Sequence, residues 1–161
     1  GKSYTPTEFV KYINTLVSNQ PIISIEDPFA EDDWSPWQDF IKVCPKKLQV
    51  LGDDLLTTNL DRLNKAITDK CANAILIKAN QNGLVTSTYN VLKQARANNF
   101  NTVVSARSGE NEDSWLSDLA TGFSAGQIKV GSTHGSERNA KWNRLLEFEA
   151  TENTRFLNPF N

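Results

Sequence analysis

Ser24-Ile25-Glu26-Asp27-Pro28-Phe29 is the stretch on which the rest of the chain is read. The short apolar run Ile22 to Ile25 stops at a carboxylate, and Pro28, which has no N–H for a ladder, forbids the strand to continue. In an α/β protein this is how a strand hands a charged side chain to a site at its carboxyl end. The event recurs. Leu48 to Leu51 stops at Gly52-Asp53-Asp54, and Ala74 to Ile77 ends at Lys78. Thr102 to Val104 runs into Ser105-Ala106-Arg107-Ser108-Gly109, and Ala125 to Ile128 ends at Lys129.

Between these runs the period changes from strand to helix. Thr5-Pro6-Thr7-Glu8 opens the first helix, with Thr5 as N-cap, Pro6 in the first turn and Glu8 closing a capping box. Further helices are expected over Trp34 to Val43, from the Asn59 cap to about Lys70, and over Leu84 to Asn98. Two more are expected after Glu112-Asp113 and from about Ser136 past Leu146. One helix followed by five strand-helix units, without hairpin signals, predicts parallel strands with right-handed crossovers.

No GxGxxG follows the first strand, so a dinucleotide fold loses ground to barrel-type packing. The expected fold is α/β, a partial parallel β/α (TIM-type) barrel, because five strands do not close the usual eight. Residues 1–150 are read as that barrel part and 151–161 as a polar terminal tail. The start Gly1-Lys2-Ser3 has no upstream glycine and spacer for a phosphate loop, and the missing initiator Met suggests a fragment. The remaining strands are then expected from the same polypeptide or from another protein chain.

Composition narrows the function classes. A formal net charge of −2 with scattered Lys and Arg argues against a nucleic-acid partner. No apolar run approaches the ~20 residues of a membrane helix, and no secretory signal is visible, so no membrane partner and a cytoplasmic location are expected. Cys44 and Cys71 have no metal-type spacing and read as reduced structural thiols.

The strand ends carry the chemistry. Glu26 and Asp53 on adjacent strands suit a hard, oxygen-seeking cation such as Mg²⁺. Lys78 and Lys129 suit an anionic substrate, or proton abstraction by an amine among other cations. Arg107 and Ser108 suit a phosphate or carboxylate held by directed hydrogen bonds. Taken singly, each has an ordinary explanation as a solvated turn or surface charge. Unrelated surface residues, however, have no reason to fall at five successive strand ends.

Ser24 to Phe29, Gly52-Asp53-Asp54-Leu55, Leu76 to Gln81, Ser108 to Asp113 and Gly126-Gln127-Ile128-Lys129 together resemble the enolase family, in the correct order and over nearly the whole chain. The match is to the C-terminal part of that family's catalytic barrel. The resemblance implies Mg-dependent dehydration of 2-phosphoglycerate to phosphoenolpyruvate, a step of glycolysis, in a family that is usually homodimeric. It implies Glu26 and Asp53 as two of three metal carboxylates, and Lys78 as the base that removes the proton alpha to the carboxylate. It further implies Lys129 as a ligand of the substrate carboxylate, Arg107 with Ser108 as the phosphate clamp, and the Ser105 backbone as part of a second metal site.

The sequence also departs from the family. Ala106 stands where the family has an imidazole, and an alanine neither donates a hydrogen bond nor titrates. Loss of such a donor is worth on the order of 10²–10³ in turnover. Gly135 stands where arginine is usual and Glu147 where a basic residue is usual. The third metal carboxylate and the acid for the leaving hydroxyl have no counterpart in these residues. Two readings therefore stand: an enolase segment, inactive alone and completed by the missing N-terminal part, or a non-catalytic structural or interaction module.

Overall fold

The computed structural model describes residues 2–152 and 154–160. Gly1 of the Gly1-Lys2-Ser3 start, and Asn153 and Asn161 of the terminal tail, lie outside the described residues. The chain opens with α1 (Pro6–Asn19) and then alternates: β1 (Ser24–Glu26), α2 (Trp34–Val43), β2 (Gln49–Gly52), α3 (Leu60–Asp69) and β3 (Ala74–Ile77). It continues through α4 (Ala79–Asn82), α5 (Val85–Ala97), β4 (Asn101–Ser105), α6 (Trp115–Gly122), β5 (Gly126–Lys129) and α7 (Ser136–Thr151). The five strands form one parallel sheet in sequence order, β1 beside β2 through to β5.

Local chemistry explains the element ends. The Thr5–Glu8 capping box forms, each residue's side chain meeting the other's backbone N–H. The Asn59 side chain accepts from the N–H groups of Asp61 and Arg62, two donors a helix start leaves unpaired. The single-turn α4 has no counterpart in the sequence reading. Its four residues are too few to show a helical period, and it occupies the space between Lys78 and the Leu84 N-cap. The last helix continues to Thr151, past the point where its apolar period fades after Leu146.

Alternation along the strands separates two faces. Val50, Ile75, Ile77 and Val104 point outward into the main core, where they meet helix residues such as Trp37, Phe40, Leu63 and Leu92. Leu51, Ala74, Leu76 and Val103 form a separate, smaller cluster on the other face. Gly52 is required by that packing, because a Cβ there would lie 2.7 Å from Leu56 Cγ.

The second face is concave. In a flat sheet β1 and β5 would stand about 19 Å apart, four strand spacings, beyond the combined reach of two side chains. Yet Lys129 Nζ on β5 lies 2.6 Å from Glu26 Oε1 on β1. At the other end, Gln49 on β2 and Gln127 on β5 exchange amide hydrogen bonds of 3.1 and 2.8 Å. The sheet is therefore curled into an arc, part of a barrel wall, with its helices outside.

Candidate active site

The carboxyl ends of the strands converge at the mouth of this arc. Strand β1 delivers Glu26, and the residue after β2 is Asp53. Strand β3 is followed by Lys78, β4 ends at Ser105, and β5 ends at Lys129. Two ion pairs join four of these residues. Lys78 Nζ sits 2.7 and 2.6 Å from the two Asp53 oxygens, both side chains largely buried. Lys129 and Glu26 form the second pair, in a more exposed position.

Glu26, Asp27 and Asp53 bring carboxylate oxygens within 4.8 Å of one another. An all-oxygen, anionic donor set of this kind fits a hard divalent cation. The three are not equivalent. Asp27 Oδ1 accepts the Asp53 N–H at 3.0 Å and Oδ2 accepts the Asp54 N–H at 2.8 Å, so both its oxygens are occupied as a clamp on the loop after β2. Burial is the main reason the Asp27 carboxyl lies above its usual range. The two N–H bonds oppose that rise, and the Asp53 and Asp54 charges add to it. Glu26 and Asp53 are the two carboxylates of this group that pair with lysines.

The loop between β2 and α3 also supports Lys78. Thr57 and Thr58 are consecutive β-branched residues at φ 48° and 50°, a left-handed conformation that costs on the order of 1–3 kcal/mol each. Hydrogen bonds hold it. The buried Thr58 hydroxyl accepts the Lys78 N–H at 2.9 Å and donates to Gln81 Oε1 at 3.0 Å. The Thr58 carbonyl accepts from Asn82 Nδ2 at 2.9 Å. The strained turn and the strand end that carries Lys78 are thus one unit.

Arg107 and Ser108 sit on the loop after β4 with exposed side chains. The Arg107 guanidinium reaches back to Asn80 Oδ1 at 3.2 Å, linking this loop to the segment after Lys78. The buried Ser105 hydroxyl donates to the Ala106 carbonyl at 2.8 Å, and Ala106 itself is 8% exposed. Two surface clefts, of about 490 and 350 Å³, lie at α6–α7 and beside α1, and no strand-end charge lines either.

Several residues at or near this mouth carry little signal in the sequence. Asp27 was legible only as the residue before Pro28, and its role depends on the β2 loop 26 residues away. Thr58, Glu110, Arg138 and Lys141 belong to loops and a helix, and each has a partner distant in the chain. The Asp-Pro step and a buried-lysine position on an otherwise polar helix are the only sequence hints available.

A parallel β/α arc with paired carboxylates and lysines at its carboxyl mouth defines the class: a segment of a parallel β/α barrel whose strand ends converge on a charged site. The family model for the enolase C-terminal TIM barrel domain matches residues 1–156. The chain is 54% identical over 147 residues to the enolases of two Ureaplasma parvum serovar 3 strains, covering 91% of this chain and 33% of each relative. The chain belongs to the enolase C-terminal TIM barrel family. It spans about a third of the length of the curated relatives it matches. No helix among the described residues is long and apolar enough to cross a membrane.

Proposed function

We propose that this chain is the segment of an enolase that carries the base, the substrate-anion ligands and two of the metal carboxylates, and that the whole protein dehydrates 2-phosphoglycerate to phosphoenolpyruvate. The observation that carries this reading is the pair of lysine–carboxylate contacts at the mouth, Lys78–Asp53 and Lys129–Glu26. Each lysine there faces a carboxylate that a divalent cation would engage, so each is poised to exchange one partner for another.

Glu26 and Asp53 are the residues that would hold Mg²⁺. When bound, the ion would supply positive charge at the substrate carboxylate, which favours ionisation of the adjacent C–H. Lys78, whose Nζ faces Asp53, is the residue placed to take up a proton, and positive charge held nearby would favour its neutral amine. The proton alpha to the carboxylate then goes to Lys78 Nζ. The electron pair it leaves forms the carbon–carbon double bond, and the β-hydroxyl departs as water with a proton from a general acid. Lys129, released from Glu26, would neutralise the substrate carboxylate, and Arg107 with Ser108 would hold the phosphate.

A second reading, a non-catalytic structural or interaction module, is favoured by one residue. Ala106 presents a methyl group beside Ser105, where the family resemblance calls for an imidazole. One assay separates the two readings: phosphoenolpyruvate formation from 2-phosphoglycerate by the full-length polypeptide that carries this chain, with and without Mg²⁺. Magnesium-dependent turnover supports the enzyme. A folded protein that forms no product at saturating substrate and Mg²⁺ overturns it in favour of the module.

A further inference from the structure

Lys141 is a lysine on α7 that is 1% exposed and lies outside the mouth. Its Nζ donates to the Asn111 carbonyl at 2.6 Å and pairs with Glu110 Oε2 at 3.0 Å. The other oxygen of Glu110 accepts the Arg107 N–H at 2.8 Å. One helical turn earlier, Arg138 donates to the carbonyls of Arg107 at 2.9 Å, Ser108 at 2.9 Å and Val130 at 3.0 Å. The carbonyls of Arg107 and Ser108 are therefore held from α7, and the Arg107 N–H is held by Glu110, which α7 pairs through Lys141, while both side chains remain exposed.

A buried ion pair is a poor device for stability, since well-packed apolar residues of the same volume do as well or better. What an ion pair adds is direction. We propose that Lys141, Glu110 and Arg138 are positioning residues that hold the loop after β4 so that Arg107 and Ser108 face an incoming phosphate. The inference rests on the enolase reading above. Charge balance supports it: burial works to raise the Glu110 carboxyl, but the Arg107 N–H and the Lys141 and Arg138 cations outweigh it and keep the group below its usual range, ionised. A charged Glu110 accepts more strongly from the Arg107 N–H than a neutral one.

The experiment uses the full-length polypeptide with Lys141→Met, Glu110→Gln and the double variant. The readouts are steady-state kinetics with 2-phosphoglycerate, Mg²⁺ activation, unfolding temperature, and amide hydrogen exchange over residues 107–113. In Lys141→Met the loop amides should lose protection, and KM should rise about 10-fold or more, with a smaller fall in kcat and an activating Mg²⁺ concentration within about twofold of the parent. The double variant should recover unfolding temperature, because no charge is left unpaired, but not KM.

Recovery of KM together with unfolding temperature in the double variant overturns the proposal, as does unchanged exchange over 107–113. If Lys141→Met does not fold, Glu110→Gln carries the same readings. If the parent protein turns over no substrate, the enolase reading has failed, and exchange over 107–113 still decides whether Lys141 holds the loop.

Discussion

At the amino-terminal end of the arc's concave face, Gln49, Gln127, Asn101 and Ser24 are joined by neutral amide and hydroxyl contacts. At the carboxyl end the same strands place Glu26, Asp53, Lys78 and Lys129 in two ion pairs. The lower network has its donors and acceptors matched to one another. Its members gain nothing from an outside partner and would leave buried polar groups unpaired if one were lost. The upper set is held by charge. The more exposed Lys129–Glu26 pair can exchange partners at small net cost, whereas the buried Lys78–Asp53 pair can separate only if another charge takes the place of the lost partner. One end of the arc is thus closed by neutral hydrogen bonds, and the other gathers the charges on which the proposed function rests.

The sharpest way to break this contrast is at the top. On the enolase reading, Lys78→Ala should lower kcat of the full-length protein by about 10²–10⁴-fold, measured as phosphoenolpyruvate formation. The same substitution leaves Asp53 buried without its cation, so it should destabilise the metal-free protein and be relieved by Mg²⁺, followed by thermal unfolding with and without the ion. Equal loss of stability in both conditions would mean the pair is structural.

Next comes Ala106→His. If catalysis is only weakened, turnover should rise, with a ceiling on the order of 10²–10³ set by one restored donor. No change, in a protein with an otherwise intact mouth, would favour the module. At the lower end, Gln49→Leu should leave kcat unchanged and cost about 1–3 kcal/mol in denaturant unfolding, because Asn101 and Gln127 lose their acceptor. A fall in kcat there would erase the contrast between the two ends.

The smallest expected effect lies outside the arc, at the ion pair of Asp118 on α6 with Arg144 on α7. The Arg144 hydrogen bonds hold the Asp118 carboxyl below its usual range, with burial opposing them and the Arg144 charge adding to them. Its folded value lies below its unfolded one, so its contribution is present above the unfolded value and fades as pH falls through the folded one. Asp118→Asn should therefore flatten the acid limb of a stability-versus-pH curve slightly, and high salt should reduce the difference. A change in turnover at neutral pH would be unexpected.

The two departures on α7 and its cap, Gly135 and Glu147, have different local meaning. Gly135 caps α7 at φ 100°, where a side chain is strained and a Cβ would lie 2.5 Å from Glu137 Oε2. An arginine could not replace it without moving that turn. Glu147 pairs with Arg144 at 2.8 Å, beside the Asp118 contact, so its charge is used within the chain.

The parallel order of strands and the charged residues at their ends were legible in the sequence by themselves. Both follow from local rules: an apolar run four residues long, a proline or glycine that stops it, and a helix period that starts again. Lys78 and Lys129 stand after β3 and at the end of β5, as those rules require. The single turn α4 escaped, because four residues show no period. Only the tertiary structure decided which charges meet. Glu26 and Lys129 are 103 residues apart and touch because the sheet curls. Asp27 faces inward as a clamp, and Lys141 faces a loop 30 residues away. Spacing along a chain reports which face a side chain takes, but curvature of the sheet sets the distance across it, and that distance turns isolated charges into a site.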